Sequence, residues 1–337
     1  MVALLEERGQ APARTPRGGI TAGWHGPLTS CAAVMAVLAL AGGVGLLVDP
    51  RTVLGESVWL KPVKFALSFS LYAGTLAWMM SRVSRLRRAL WWLGTVTVAG
   101  FVVPEFSAIA FQAARGVRSH FNLSTALDGT VYMIMGGAAY LGWLLTLAMG
   151  VLLTFQRRVD RVMAWAVPLG VAVSLAGMSV GYLMTAPTPG QAQAMAGGLH
   201  LATVGAHSVG GPDGGPGMPL TGWATGAGDL RVAHFVGLHA LQALPLLAIG
   251  LRLLARRLPV LACTAVRVRL VVVGACGYAG LTGLLVWQAR RGLPLVAPDA
   301  ATWGAAAALT ALLAAAAAAV LAAGRRAGRD AASGRVR

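Results

Sequence analysis

Charge is scarce in this 337-residue chain: 12% of residues are charged, with 11 acidic groups against 28 lysines and arginines. That scarcity, beside 57% hydrophobic residues, excludes a soluble globular domain of this length. Cysteine is nearly absent. Cys31, Cys263 and Cys276 lie in or beside apolar segments without paired spacing, which excludes a disulfide framework and a zinc knuckle and predicts free, buried thiols. No HExxH, CxxCH or ferredoxin-like spacing occurs, no nucleophile elbow and no phosphate-loop glycine pattern, so the sequence carries none of the common signatures of metallohydrolase, haem-attachment or nucleotide sites. No internal repeat is evident, which weighs against an inverted-repeat transporter. Residues 1–30 lack the compact basic-then-apolar start of a cleavable signal and are expected to form a cytoplasmic tail before a signal-anchor helix.

What the chain has instead is long apolar runs, and its mean hydropathy is +0.69. About 20 apolar residues cross a bilayer as a helix, so the runs predict an all-α polytopic transmembrane bundle of eight spans. These fall at residues 31–47, 61–80, 89–114, 130–155, 163–185, 232–254, 270–288 and 301–323, within one membrane domain over 31–323. A basic tail follows at 324–337, and a Gly/Pro-rich outer loop covers 191–231, with one short helix expected near 194–206. The alanine-rich last span is expected at the lipid-facing periphery.

Lysine and arginine placement sets the expected orientation. With the N-terminus inside, twenty of the 28 basic residues fall on the inner segments, so both termini are expected in the cytoplasm of a multi-pass bacterial plasma-membrane protein. This accounts for the +17 net charge without nucleic acid, leaving the lipid bilayer as the expected partner. The same orientation puts every histidine except His25 on the outer half.

Glu105 stands about 15 Å inside the outer end of the third span at helical rise. A carboxyl so deep is expected to be protonated, paired or facing a wet cavity. Either it begins a polar stripe through Gln112 to Arg115, or it forms one ion pair with Lys64 of the second span. Lys61 reads as an interfacial anchor. His120 has Arg115, Arg118, Asn122 and Asp128 nearby in sequence, and Asp128 is equally suited to capping the fourth span. Asp229 is placed to cap the sixth span, where Arg231 and His234 form an i, i+3 pair. His234 and His239 are five apart, about 140° around a continuous helix, whereas His239 and Gln242 share a face. Nine glycines and three prolines forbid regular structure over 205–231, and Met218, Leu220 and Trp223 would anchor that stretch as a lid carrying His207 and Asp213.

Taken together, WLKPVKF, QAARGVRSHFN, GAHSVG with PDGGPGMPLTGW, and GDLRVAHFVGLHALQALP resemble an uncharacterised family of bacterial polytopic membrane proteins, over about residues 49–246. The resemblance implies that Lys64, His120, His207, Arg231, His234 and His239 occupy family motif positions, and it carries no activity with it. His200 and the last two spans lie outside those motifs.

Three functional classes follow. A haem or transition-metal site with redox or biosynthetic activity would use His120, His207, His234 and His239, with His207, His234 and His239 as ligands of a metal ion and Met178, Met184 and Met218 as softer donors. Glu105, Arg115, Asp128, Asp229 and Arg231 would then supply charge and proton transfer. A proton-coupled transporter would use Glu105, Lys64 and Gln112 as its polar step. A cofactor-free enzyme on a lipid-borne substrate would pair a histidine with an aspartate as acid and base. A purely structural subunit is the remaining alternative.

Overall fold

The computed structural model describes residues 23–82, 85–156 and 160–333. Most of the expected N-terminal tail, Arg157, Arg158 and residues 334–337 lie outside them. Helix α1 (Gly26–Val48) starts earlier than the apolar run suggests, because the His25 imidazole accepts a hydrogen bond from the Leu28 amide and caps it. A two-residue hairpin, β1 (Thr52–Val53) and β2 (Glu56–Ser57), leads to α2 (Leu60–Met80). Gly42 and Gly45 let α1 pack on α2: added methyl groups would come within 2.6 Å of Val63 and 2.3 Å of Trp59.

The expected third span is not one regular helix. It consists of α3 (Arg87–Thr97), one π turn over Val98–Val102 and α4 (Val103–Ala114). Pro104 has no amide for the preceding turn, and the wider π turn accommodates its ring. Helices α5 (Ala126–Thr154) and α6 (Arg161–Thr185) follow. The short helix between the fifth and sixth spans is α7 (Pro189–Ala196), earlier than expected, where a Thr188–Gln191 capping box starts it.

The expected sixth span is also broken. Helices α8 (Leu230–Leu238) and α9 (Ala240–Leu254) meet at His239 with a 45° bend. Two carbonyls beside the break are taken by other helices: Val236 accepts from the Tyr278 hydroxyl at 2.8 Å and Leu238 from the Ser174 hydroxyl at 2.8 Å. Helices α10 (Thr264–Arg290) and α11 (Ala300–Ser333) complete the chain. Helix α11 runs on through most of the stretch expected as a basic tail.

Seven of these helical stretches are long and apolar enough to cross a membrane, and the bent α8–α9 pair makes an eighth. Leu40, Leu47 and Met133 turn outward, as lipid-facing side chains do. The chain is therefore an all-α, multi-pass membrane bundle. Helix α11 stands at its edge, touching α10 where Gly277 and Gly280 receive Leu313 and Leu309. Of the thiols, Cys31 is buried, whereas Cys263 and Cys276 are exposed, contrary to the expectation of three buried cysteines.

Candidate functional site

The stretch between α6 and α8 folds as a lid over one end of the bundle. A short ladder, β3 (Ser208–Val209) with β4 (Gly228–Asp229), closes its base. Residues 202–206 run alongside 121–123: the Leu123 amide donates to the Ala202 carbonyl and the Val204 amide to the Phe121 carbonyl. Gly205 permits this approach, with φ +100° and only 2.6 Å from an added methyl group to the Met184 carbonyl oxygen.

Beneath the lid is a cavity of about 330 Å³ reaching down to Tyr72, Trp143, Ser174 and Gln242. Its floor is aromatic and aliphatic, including Phe65, Phe69, Phe101 and Met178. Below it, Leu76, Met149, Leu153, Val167, Val171 and Leu241 are buried in one packed cluster. All four histidines proposed as ligands, His120, His207, His234 and His239, line this single cavity, with Glu105, Lys64, Arg231 and Gln242.

Two polar groups face each other at its upper end. In the first, Lys61 Nζ lies 2.9 Å from His120 Nδ1, and His120 Nε2 lies 3.8 Å from Glu105 Oε1. A lysine ammonium donating to Nδ1 fixes the His120 proton on Nε2, the nitrogen turned toward Glu105. Glu105 Oε2 is buried with no hydrogen-bond partner among the described residues. In the second, Asp213 accepts from the backbone amides of His207 and Ser208 and lies 3.1 Å from His207 Nδ1. This holds the His207 proton on Nδ1 and leaves Nε2 as the basic nitrogen. The His120 and His207 ring centroids are 6.3 Å apart. Burial carries the His207 pKa down to about 4 against the opposing pull of Asp213, and burial with the Lys61 charge lowers that of His120 well below its ordinary value.

Lower in the cavity, the break between α8 and α9 changes the expected geometry. On a continuous helix His234 and His239 would diverge, yet both reach the same space. His234 Nδ1 lies 2.9 Å from the Gly177 carbonyl, while His239 Nδ1 lies 3.3 Å from Gln242 Oε1. Gln242 in turn donates to the Thr75 hydroxyl at 3.2 Å.

Several expectations need correction. Lys64 is not the partner of Glu105; its ammonium donates to the Thr221 carbonyl at 2.7 Å and lies 4.0 Å from Glu56. Arg231 makes the matching contact, donating to the Gly222 carbonyl at 2.6 Å, so the two cations clip the lid to the bundle. Lys61, expected as an interfacial anchor, is instead turned into the cavity on His120. The stripe from Glu105 to Arg115 does not form: Gln112 and Arg115 both donate to Asp128, at 2.9 and 2.6 Å, and none of the three lines the cavity. Asp128 also accepts from the Thr125 hydroxyl, so that group braces the start of α5. Asp229 caps α8 and grips the Arg231 guanidinium from outside the cavity, which makes it a positioning residue. His200 is exposed, and Met218 does not line the cavity.

Arg118 and Glu56 are cavity residues that sequence reasoning did not single out as candidates. Arg118 finds its partners, Thr203 and Asp213, in the lid, whereas Glu56 faces Lys64 of α2 and Arg231 of α8, and no familiar motif signals either set of contacts. Among the described residues no group of three or more His, Cys, Asp or Glu is placed to hold a metal ion, so the expected ligand set His207, His234 and His239 is not assembled around one point. The chain matches no protein-family model, and no curated protein and no solved structure is similar to it.

Proposed function

We propose that this protein is a membrane-embedded enzyme that performs cofactor-free acid–base chemistry on the polar end of an amphipathic, lipid-borne molecule. The observation that carries the reading is the meeting of an oriented base with an oriented hydrogen-bond donor over an apolar floor. His207 Nε2, set by Asp213, is the base, and His120 Nε2–H, set by Lys61, is a neutral donor that can stabilise negative charge developing on the substrate. The unpartnered Glu105 oxygen offers an acceptor that a bound polar group would satisfy.

Access from the membrane is supported by the seam between α5 and α6. Trp143 donates to the Leu175 carbonyl and the Ser179 hydroxyl and closes the seam at that level. Nearer the lid, Gly136 and Tyr182 both line the cavity and remain exposed, and a methyl group on Gly136 would meet no atom within 4 Å. The expected bacterial plasma membrane, with the lid on the outer face, would present this seam to the outer leaflet. Under the floor lies a layer of packed, buried apolar side chains, which favours an enzyme over a transporter.

The test is untargeted mass spectrometry of lipids from membranes overproducing the wild-type chain or His207→Ala at matched levels. A species altered only by the wild type is expected, and identical lipid profiles would overturn the reading. A second reading rests on His234, whose Nδ1 sits on the Gly177 carbonyl and leaves Nε2 able to bind an iron centre such as haem. A Soret band from purified protein, lost in His234→Ala, would favour that reading instead.

A further inference from the structure

At the end of the bundle opposite the lid, three helix termini converge on a second concavity. Its walls are Asp160 and Arg161 at the start of α6, Arg252 in the last turn of α9, and Thr264 and Arg267 in the first turn of α10. Three guanidinium groups from three helices therefore share one hollow with a single carboxylate. That carboxylate is occupied as a cap, accepting from the Val162 amide at 2.9 Å. Arg267 donates to the Thr264 hydroxyl at 3.2 Å, but its Nε–H is buried with no partner among the described residues. The guanidinium of Arg267 therefore has donor capacity that no described group of the chain uses.

The backbone points the same way. Helix α10 is 27 residues long, and its N-cap, Cys263, makes no side-chain capping bond, so the first amides keep their capacity to donate. An uncapped terminus of a long helix favours negative charge, and a phosphate uses its donors together with neighbouring arginines. The rim is apolar: Trp165, one turn beyond Arg161, is exposed, as are Leu253 and Leu254 beside Arg252. A ligand with acyl chains attached to its phosphate would find surface for both parts.

We propose that this hollow binds a phosphate monoanion, and that its usual source is the head group of an anionic phospholipid. The site is separate from the lid-end cavity and stands whether or not the proposed activity does. Phosphate chemistry is common to the lipid and to free inorganic phosphate, and basic pockets between membrane helices are suited to anionic head groups.

The experiment uses the full chain in detergent, titrated separately with phosphatidylglycerol, phosphatidylcholine and inorganic phosphate, and reads the thermal midpoint and bound adducts by native mass spectrometry. Phosphatidylglycerol is expected to bind and to raise the midpoint, with phosphatidylcholine inert. The double variant Arg161→Gln with Arg252→Gln changes two exposed rim residues and is expected to weaken binding on the order of tenfold. Arg256→Gln, which lies outside the hollow, is expected to bind as the wild type does, and circular dichroism verifies the fold of each variant. If inorganic phosphate protects as well as the lipid and the double variant loses that protection, the site stands with free phosphate as its source. If the two lipids are indistinguishable, or if the double variant keeps the wild-type preference, the proposal is overturned.

Discussion

Asp213 accepts from two backbone amides and faces the His207 imidazole, so one carboxylate both folds the lid and sets a tautomer. Burial alone would raise the Asp213 pKa, but the His207 ring and the amides of Ser208 and His207 hold it well below the ordinary carboxylate range. The consequence for pH falls on the histidine. An imidazole in the unfolded chain titrates near 6.5, whereas His207 in the folded protein is carried down to about 4. Between those values the unfolded state holds a proton that the folded state lacks, so stability falls as pH drops through the window and is unaffected above it. His120 shifts in the same direction and adds to the slope. The thermal midpoint in detergent is therefore expected to decline from pH 7 toward pH 4. His207→Gln should remove part of that decline, on the order of 1–3 kcal/mol, and an equally steep profile in the variant would contradict the assignment. Lys64 acts differently, through its bond to the Thr221 carbonyl. Replacing it by methionine forfeits one charge-assisted hydrogen bond, so amide exchange across 217–225 should accelerate on the order of tenfold while the helices stay protected. Exchange unchanged in the lid would show that Arg231 alone retains it.

The helices bring the histidines together through small residues at one crossing. At Gly177 the backbones of α6 and α8 touch, and an added methyl group would stand 2.4 Å from the Gly237 carbonyl carbon. Because His234 bonds to the Gly177 carbonyl, that crossing also sets the depth of the imidazole. Gly177→Ala should push the helices apart at a cost of roughly 1–3 kcal/mol. Gly136→Ala places its methyl group where no atom lies within 4 Å, and it should leave the thermal midpoint unchanged or slightly higher. Equal midpoints in the two variants would show that the crossing at Gly177 tolerates the added methyl group and does not govern stability. This is also where sequence reading reached its limit. The apolar runs gave the number of crossings and the gathering of polar residues at one end, because burial in lipid demands unbroken hydrophobic length. Gly237 and Pro245 weaken this span locally but do not place its break: the hydroxyls that divert the carbonyls beside His239 come from Ser174 and Tyr278, 64 residues before and 42 after the residues they bind. The exchanged roles of Lys61 and Lys64 were hidden for the same reason, since the carbonyl that captures Lys64 lies 157 residues away. Periodicity reports which face is buried, and says nothing of which distant group will meet it.

For the whole molecule the thiols provide a probe of which end faces the cytoplasm. Eight crossings, counting the bent α8–α9 pair as one, return the chain to the end it started from, so Gly26 and the start of α10 lie at opposite ends of their helices from the lid. Charge bias favours the arginine-rich end inside, since Arg252, Arg256, Arg257, Arg267 and Arg269 surround the α9–α10 turn. Cys263 sits in that turn and is exposed, Cys31 is buried, and Cys276 lies mid-helix among lipid-facing positions. Packing covers Cys31 and Cys276 lies within a membrane-spanning helix, so an aqueous maleimide reaches neither at an appreciable rate. The wild-type chain in intact cells should therefore resist a membrane-impermeant maleimide and take up one label per chain once the membrane is opened. Leu220→Cys, at an exposed position of the lid, should acquire a label in intact cells. The reverse pattern, Cys263 labelled from outside and Leu220→Cys only after permeabilisation, would invert the bundle. The acid–base cavity would then draw on the inner leaflet, and the arginine hollow would face the outer one.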